Sequence, residues 1–180
     1  MTPRASNSRE RVLSAAVDIV ARDGSSHLTM DAVAAESGLS KGGVLYHFPS
    51  KEALLAAMLD HALAGYEQRW QHNQDEHDDS ALQAYIRAEQ EETPAVRSLA
   101  QALLANAAEA PALLDPARAL TKQVLNRIRK ESTDADLATL LMYSAEGMRL
   151  ADMFNLSPFT SAQRRRLNKR LFELARDLTP

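Results

Sequence analysis

The sequence predicts an all-α protein of about nine helices. Apolar residues recur every three to four positions through most of its 180 residues, which is the spacing of amphipathic helices. No convincing run alternates as a β-strand does, and Ser, Thr or Asp stands before several apolar segments in the place of a helix cap. The chain is 45% hydrophobic and 25% charged, which is typical of a globular protein with a packed core.

Composition excludes several classes of protein. Without cysteine the chain has no disulfide framework, thiolate metal site or thiol nucleophile, and we expect a cytoplasmic location. No stretch approaches the roughly 18 apolar residues of a membrane span, and the polar N-terminus lacks the apolar core of a signal peptide. A net charge of −3 argues against a protein that coats nucleic acid over its whole surface, but it leaves room for a local basic face.

Four helices are predicted in the first 70 residues. The first ends at Gly24, and the second begins after Thr29, whose hydroxyl can accept a hydrogen bond from an early backbone N–H. Gly38 ends the second helix, and Ser40 caps the third. The third and fourth helices are predicted over Lys41–Phe48 and Lys51–Trp70, with Pro49 and Ser50 between them.

The remaining helices are predicted from their start signals. The run Gln71–Asp79 has no apolar residue and is interpreted as a loop. Capping boxes are formed by Ser80 with Gln83 and by Thr160 with Gln163. Further start signals are Thr93-Pro94, Asp115-Pro116, Asp134 and Asp136. The predicted helices begin at Ser80, span about 94–109 and 112–131, and run from Asp134 to about Phe154 and from Thr160 to about Leu178.

The last two predicted helices are apolar on more than one side. A helix with two apolar faces needs two neighbours, and one of them can be a second copy of the chain. We therefore expect a homodimer through a four-helix bundle, the alternative being that these residues only form the core of the monomer. The expected interface residues are Leu141, Met148, Leu167, Leu171, Leu174 and Leu178.

The segment Leu28–Leu55 has the arrangement of a helix-turn-helix, whose second helix lies in the DNA major groove. Two successive glycines inside a helix cost about 1 kcal/mol each relative to alanine, which is expected where no side chain is tolerated. Gly42 and Gly43 can therefore let the helix backbone approach a duplex, while Lys41 reads guanine or contacts a phosphate. The predicted DNA-binding residues are Thr29, Ser40, Lys41, Gly42, Gly43, Leu45, Tyr46, His47 and Lys51.

This segment resembles the DNA-binding domain of the TetR family of bacterial transcriptional regulators. The resemblance covers about residues 8–56. It implies a three-helix helix-turn-helix domain over residues 1–50 and a C-terminal helical ligand-binding and dimerisation domain over residues 51–180. The residues that carry it are the Thr29 helix start, Ala34-Ala35 with Gly38, Ser40-Lys41-Gly42, Tyr46-His47-Phe48 and Pro49-Ser50-Lys51-Glu52-Ala53-Leu54.

The resemblance also implies a mechanism. A homodimer would present two reading helices to a near-palindromic operator and act as a repressor that a small-molecule effector releases. Because two half-sites about 34–36 Å apart must be met at once, a small shift of helix 51–70 in each copy would prevent simultaneous binding. Where the family commonly has Tyr, this chain has Leu45, so either Tyr46 and His47 supply the phosphate contacts or Leu45 meets a thymine methyl.

Candidate effector-binding residues are aromatic or isolated polar side chains on otherwise apolar helices. Each of them can equally pack in the core or face solvent. Residues 52–115 carry twelve acidic and three basic residues, which favours a cationic or neutral effector over an anionic one. The candidates are Tyr66, Trp70, Tyr85, Asn106, Gln123 and Tyr143.

Other chemistries find little support in the sequence. We expect no metal or cofactor, because His72 and His77 are five residues apart and would lie on different helix faces. We expect no enzyme, because no nucleophile elbow or glycine-rich oxyanion turn is present. The run Arg164–Arg166 is interpreted as a solvated helix face rather than a second DNA site. The alternative functions are a helical dimer that binds a small molecule without a DNA role, and a scaffold protein.

Overall fold

The computed structural model describes residues 3–91, 93–107 and 110–179. Over these residues the chain forms nine α-helices, two short 3₁₀ turns and no strand, so the predicted all-α class is confirmed. The helices are α1 (Pro3–Asp23), α2 (Met30–Ser37), α3 (Lys41–His47), α4 (Lys51–His77), α5 (Ala81–Gln90), α6 (Pro94–Ala107), α7 (Asp115–Glu131), α8 (Ala135–Met153) and α9 (Ser161–Arg176).

Most predicted helix starts are confirmed by their caps. The Thr29 hydroxyl accepts from the backbone N–H of Ala32, and both predicted capping boxes, at Ser80 and at Thr160, are formed. The Asp134 carboxylate accepts from two backbone N–H groups of α8. These helices begin where their neighbours in sequence satisfy the first free backbone donors.

The predicted end of the fourth helix at Trp70 is wrong, because α4 continues to His77. The polar run contains no glycine or proline to stop a helix. His72 pairs with Glu76 one turn later, and the buried Asn73 amide donates to Glu91. The helix ends at His77, and the φ of +52° at the next residue, Asp78, lies in the left-handed region.

Smaller differences occur around α6 and α7. The predicted helix 94–109 is observed as Pro94–Ala107, and residues 108 and 109 lie outside the described part. The predicted start at 112 is instead a 3₁₀ turn, Pro111–Leu114, and α7 begins at Asp115. The signal at Asp115-Pro116 therefore marks this start within one residue.

The chain divides into two compact units: unit 1 comprises Met1–Leu63 with Thr93–Ala117, and unit 2 comprises Ala64–Glu92 with Arg118–Pro180. This division differs from the expected boundary after residue 50, because α6 packs against α1 and α4 contributes to both units. The large buried side chains of unit 1 include Val12, Ile19, Leu28, Leu54, Leu55 and Met58, and those of unit 2 include Trp70, Leu82, Ile86, Ile128 and Met142. Among the described helices, none has both the length and the hydropathy of a membrane span.

Candidate nucleic-acid interface and ligand site

The turn between α2 and α3 is fixed by its backbone and by α1. Gly38 has a φ of +67°, and the backbone N–H of Leu39 donates to the carbonyl of Ala34 at 3.2 Å, which closes the end of α2. From α1, Arg11 Nη2 donates to the carbonyl of Ser37 at 2.5 Å. These bonds hold the turn from two sides and fix how α3 follows α2.

One side of α3 is anchored in the core of unit 1. Val44 and Phe48, one turn apart, are both buried in the cluster that includes Val12 and Val33. Arg9 lies over the Phe48 ring, with 5.0 Å between the guanidinium carbon and the ring centroid. Val44 and Phe48 therefore fix one side of α3 to the core of unit 1.

The opposite side of α3 carries four of the predicted DNA-binding residues. Lys41, Gly42, Leu45 and Tyr46 are all exposed, and Tyr46 is 83% exposed. His47 is half-buried, and its ring stands edge-on to the Tyr46 ring at a centroid distance of 5.2 Å. The outward face of α3 thus combines a cation, a phenol and a bare stretch of backbone.

The two glycines of α3 are not required by the fold of the single chain. Neither has a positive φ. A Cβ at residue 42 would lie 3.9 Å from Ser40 Oγ, and one at residue 43 would lie 3.4 Å from the same atom, which are ordinary contacts. Since alanine fits at both positions and favours helix more than glycine does, the missing side chains need an explanation outside the chain.

Sequence reasoning missed the partner of Lys41. Its Nζ lies 3.0 Å from Oδ2 of Asp31, in the first turn of α2, and both side chains are more than half exposed. A carboxylate in the first turn of a helix stabilises the helix N-terminus, and Asp31 holds that position in α2. In the structure Asp31 also pairs with the Lys41 ammonium. Asp31 therefore competes with a DNA phosphate for this cation.

The remaining predicted DNA contacts surround this face. Thr29 and Ser40 are exposed, and each hydroxyl caps a helix while keeping its own proton to donate. Lys51 is half-buried at the start of α4, where the Ser50 hydroxyl accepts from the N–H of Ala53. Hydrogen bonding from Ser50 lowers the pKa of the neighbouring Glu52.

Of the candidate effector residues, the structure brings together Tyr66 and Tyr85. Their rings meet edge to face with centroids 6.3 Å apart in unit 2. Trp70 is sealed in the core, where its Nε1 donates to the carbonyl of Ala81 at 3.0 Å. Gln123 and Tyr143 are exposed, and the side chain of Asn106 lies outside the described part of the chain.

Three charged residues missed by sequence reasoning surround this tyrosine pair. Tyr85 Oη donates to Oε2 of Glu146 at 3.1 Å, and Arg149 links Glu146, at 2.7 Å, to Glu89, also at 2.7 Å. Two carboxylates share one guanidinium, so this group of five residues has a surplus negative charge. The only sequence signal was the spacing of Glu146 and Arg149 on an otherwise apolar helix.

Both phenols of this group stay protonated. Burial raises the pKa of Tyr66 and of Tyr85, and the nearby carboxylates of Glu89 and Glu146 raise both further. Tyr66 Oη is itself buried, with no hydrogen-bond partner of good geometry among the described residues. A bound molecule with an acceptor group can compete with the nearby Glu89 carboxylate for this hydroxyl.

The residues expected at a dimer interface separate into two groups. Leu141, Leu171 and Leu178 are buried in the core of unit 2, which fits the alternative that they pack within the monomer. Met148 and Leu174 are half-buried, and Leu167 is exposed. On α8 the face opposite the core is nevertheless apolar, because Leu137, Leu140, Tyr143 and Phe154 are exposed there.

No cluster of three or more metal-ligating side chains occurs within the residues that the structure describes. His72 is exposed and paired with Glu76, and His77 is exposed at the end of α4. The stretch predicted as a loop is helical up to His77, and most of its acidic residues are exposed, while the Asp79 side chain is buried against Arg87.

Comparison with protein families gives two matches that together span most of the chain. The model described as "Bacterial regulatory proteins, tetR family" matches residues 12–58. The model described as "Tetracyclin repressor-like, C-terminal domain" matches residues 79–176. A comparison with curated proteins finds no significant match.

Solved structures share the fold over nearly their whole length. A transcriptional regulator from Saccharomonospora viridis in complex with choline has a TM-score of 0.76 at 18% identity, covering 97% of this chain and 99% of its own. A TetR transcription regulator from Haloarcula marismortui has a TM-score of 0.73 at 21% identity, covering 97% and 100%. The multidrug binding protein EbrR, complexed with imidazole, has a TM-score of 0.67 at 22% identity, covering 99% and 94%.

Proposed function

The chain belongs to the TetR family of bacterial regulatory proteins, and we propose that it is a cytoplasmic repressor that binds a near-palindromic operator as a homodimer. In this proposal α3 reads the major groove and a small-molecule effector in unit 2 releases the DNA. The observation that carries it is the glycine pair of α3, which the folded chain does not require.

The glycine pair supports close approach to a duplex. Gly42 lies on the outward face between Lys41 and Tyr46, so the exposed centre of that face has no side chain while its edges carry hydrogen-bonding groups. A ligand-binding or scaffold protein has no use for this combination. A helix that must sit against sugar and phosphate does, since donors at its rim fix its position while bare backbone lets it enter the groove.

A homodimer is supported by the outward face of α8. Leu140 is 65% exposed, and Tyr143 and Phe154 are each about half exposed on the same side. Gly147 lies among them with open space beyond its Cα, so a second helix could approach closely there. We propose that two copies pair α8 with α8 and bury this face, with Leu167 of α9 at its edge.

The effector site is proposed at the tyrosine pair. Two carboxylates for one guanidinium favour a ligand with a positive charge, and the Tyr66 and Tyr85 rings offer it an aromatic surface. The ligands bound in two structural neighbours, choline and imidazole, agree with a small nitrogenous effector. Tyr66 lies on α4, which runs unbroken from Lys51 at the end of the helix-turn-helix to His77.

This continuity supplies the coupling. A ligand that moves Tyr66 displaces α4, whose Leu54 and Leu55 share a buried cluster with Val44 of α3, and two half-sites can no longer be met together. By linkage, operator DNA must weaken effector binding by the same factor by which the effector weakens operator binding.

Selection of bound duplexes from a random-sequence pool tests the proposal. We expect enrichment of a near-palindrome whose half-sites are separated by about one helical turn or a multiple of it. An enriched sequence without two-fold symmetry would contradict the homodimer. A pool that stays random after repeated rounds would contradict the DNA-binding role itself.

A further inference from the structure

Unit 2 carries a second concave site, formed by α5 and α9. It is an open groove of about 450 Å³, a volume within the range of small-molecule sites. Arg87 of α5 lines it together with Arg165, Lys169, Phe172 and Arg176 of α9. None of these residues belongs to the tyrosine pair or to its charged partners.

The groove carries surplus positive charge. Four cationic side chains line it, and Glu173 is its one carboxylate. Glu173 is already approached by Lys169 at 3.9 Å and by Arg170 at 3.5 Å. Arg165 and Arg176 make no ion pair or hydrogen bond within the described part of the chain, so their guanidinium groups can bind an anion without breaking an existing contact.

Arg87 is held in place rather than free to move. Its Nε lies 2.7 Å from Oδ2 of Asp79, whose side chain is 5% exposed, and this bond raises the pKa of Arg87. Its guanidinium also lies over the Phe172 ring, 4.9 Å from the centroid. The groove therefore has a fixed cation stacked on an aromatic ring, beside two exposed cations that make no ion pair within the described part of the chain.

The composition of the lining defines the ligand. Phe172 and the aliphatic stems of the basic residues present apolar surface, while the charged ends lie at its margin. An inorganic anion would use the charges and leave this apolar surface in water. A molecule with an apolar or aromatic body and one anionic group would use both.

The proposed homodimer leaves this groove open. At 3.6 residues per turn, the lining positions 165, 169, 172 and 176 lie roughly half a turn around α9 from Leu167 and Leu174. A second copy that covers Leu167 therefore does not cover the groove.

We propose that the groove between α5 and α9 is a binding site for an amphiphilic organic anion, a carboxylate, sulfonate or phosphate carried on an apolar or aromatic body. The site is distinct from the effector site at the tyrosine pair, which has the opposite charge. The proposal does not rest on DNA binding, because every group it uses lies in unit 2.

The test uses the full chain and two naphthalene probes that differ mainly in charge. The probe 8-anilino-1-naphthalenesulfonate is an aromatic anion, and N-phenyl-1-naphthylamine is its uncharged counterpart. We expect the folded protein to bind the sulfonate at least about tenfold more tightly in low salt, with the preference shrinking as salt rises. Equal affinity for both probes would overturn the proposal.

A matched pair of variants locates the binding. The double variant Arg165→Gln with Arg176→Gln removes two charges from the groove, and we expect it to weaken sulfonate binding about tenfold or more. The control Arg166→Gln with Lys122→Gln removes two exposed charges that do not line the groove and should change binding less than twofold. Equal losses in both variants, or no loss in the first while its circular dichroism is native, would overturn the proposal.

Discussion

Replacing Gly42 with alanine should move stability and DNA binding in opposite directions. The new Cβ would lie 3.9 Å from Ser40 Oγ and would meet no other atom within 4 Å outside the helix backbone. The fold therefore accepts the methyl group without strain. If α3 sits against a duplex as proposed, the same methyl group points into the closest part of the protein–DNA contact.

The two magnitudes follow from this geometry. A glycine-to-alanine change in a helix gains about 0.5–1 kcal/mol, and at the second residue of α3 we expect the lower end, which raises the melting temperature by roughly 1–2 °C. A methyl group forced into a packed interface costs about 1–3 kcal/mol. A dimer incurs that cost at both half-sites, so operator affinity should fall on the order of a hundredfold or more.

Thermal unfolding and fluorescence anisotropy on a selected operator measure the two effects. Gly65→Ala is the matched control, because its Cβ would meet only Arg69 Nη1, at 3.5 Å, and residue 65 lies in α4 away from the proposed reading face. It should gain similar stability and keep its operator affinity. A folded Gly42→Ala protein that binds the operator within twofold of the native protein would contradict the close contact between residue 42 and the duplex.

Three further predictions concern other parts of the molecule. Asp31→Asn frees Lys41 from its 3.0 Å ion pair and should raise affinity for unrelated duplex severalfold in low salt, measured by anisotropy, whereas an unchanged affinity would mean that Lys41 contacts no phosphate. Leu140→Glu places a charge on the exposed face of α8 and should give a folded monomer by light scattering, so a folded dimer would place the interface elsewhere. Hydrogen bonding from Arg22 lowers the pKa of Glu36 below 4.5, so the pair stabilises the fold above that pH and is lost as pH falls through the lowered pKa. Glu36→Gln should therefore flatten the acid side of a urea-stability profile, and a profile of unchanged slope would contradict this.

Local signals explain which parts of the fold the sequence could predict. Thr29, Ser40, Ser80 and Thr160 act on backbone groups two or three residues away, so their roles can be read without knowing the tertiary structure. The alternation of core and surface positions on α3 is equally local.

The errors arise where contacts join distant parts of the chain. The polar run after Trp70 remains helical partly because the Asn73 amide donates to Glu91, the residue that follows α5, and a local reading cannot foresee this contact. In the same way, the link from Arg149 to Glu89 depends on how α8 packs against α5. The sequence shows that α8 is apolar on more than one side. It does not show which of these sides packs in the core and which is exposed.

The placement of α3 against DNA can be measured directly because the chain has no native cysteine. A single Tyr46→Cys protein can carry an iron–EDTA group on the outward face of α3, and Asn126→Cys, on an exposed position of α7, can carry the same group as a comparison.

With the selected operator, we expect strand cleavage from position 46 in two clusters, one in the major groove of each half-site, and little cleavage from position 126. Cleavage from position 46 that is absent, or spread no differently from that at position 126, would contradict the claim that the bare face of α3 enters the groove.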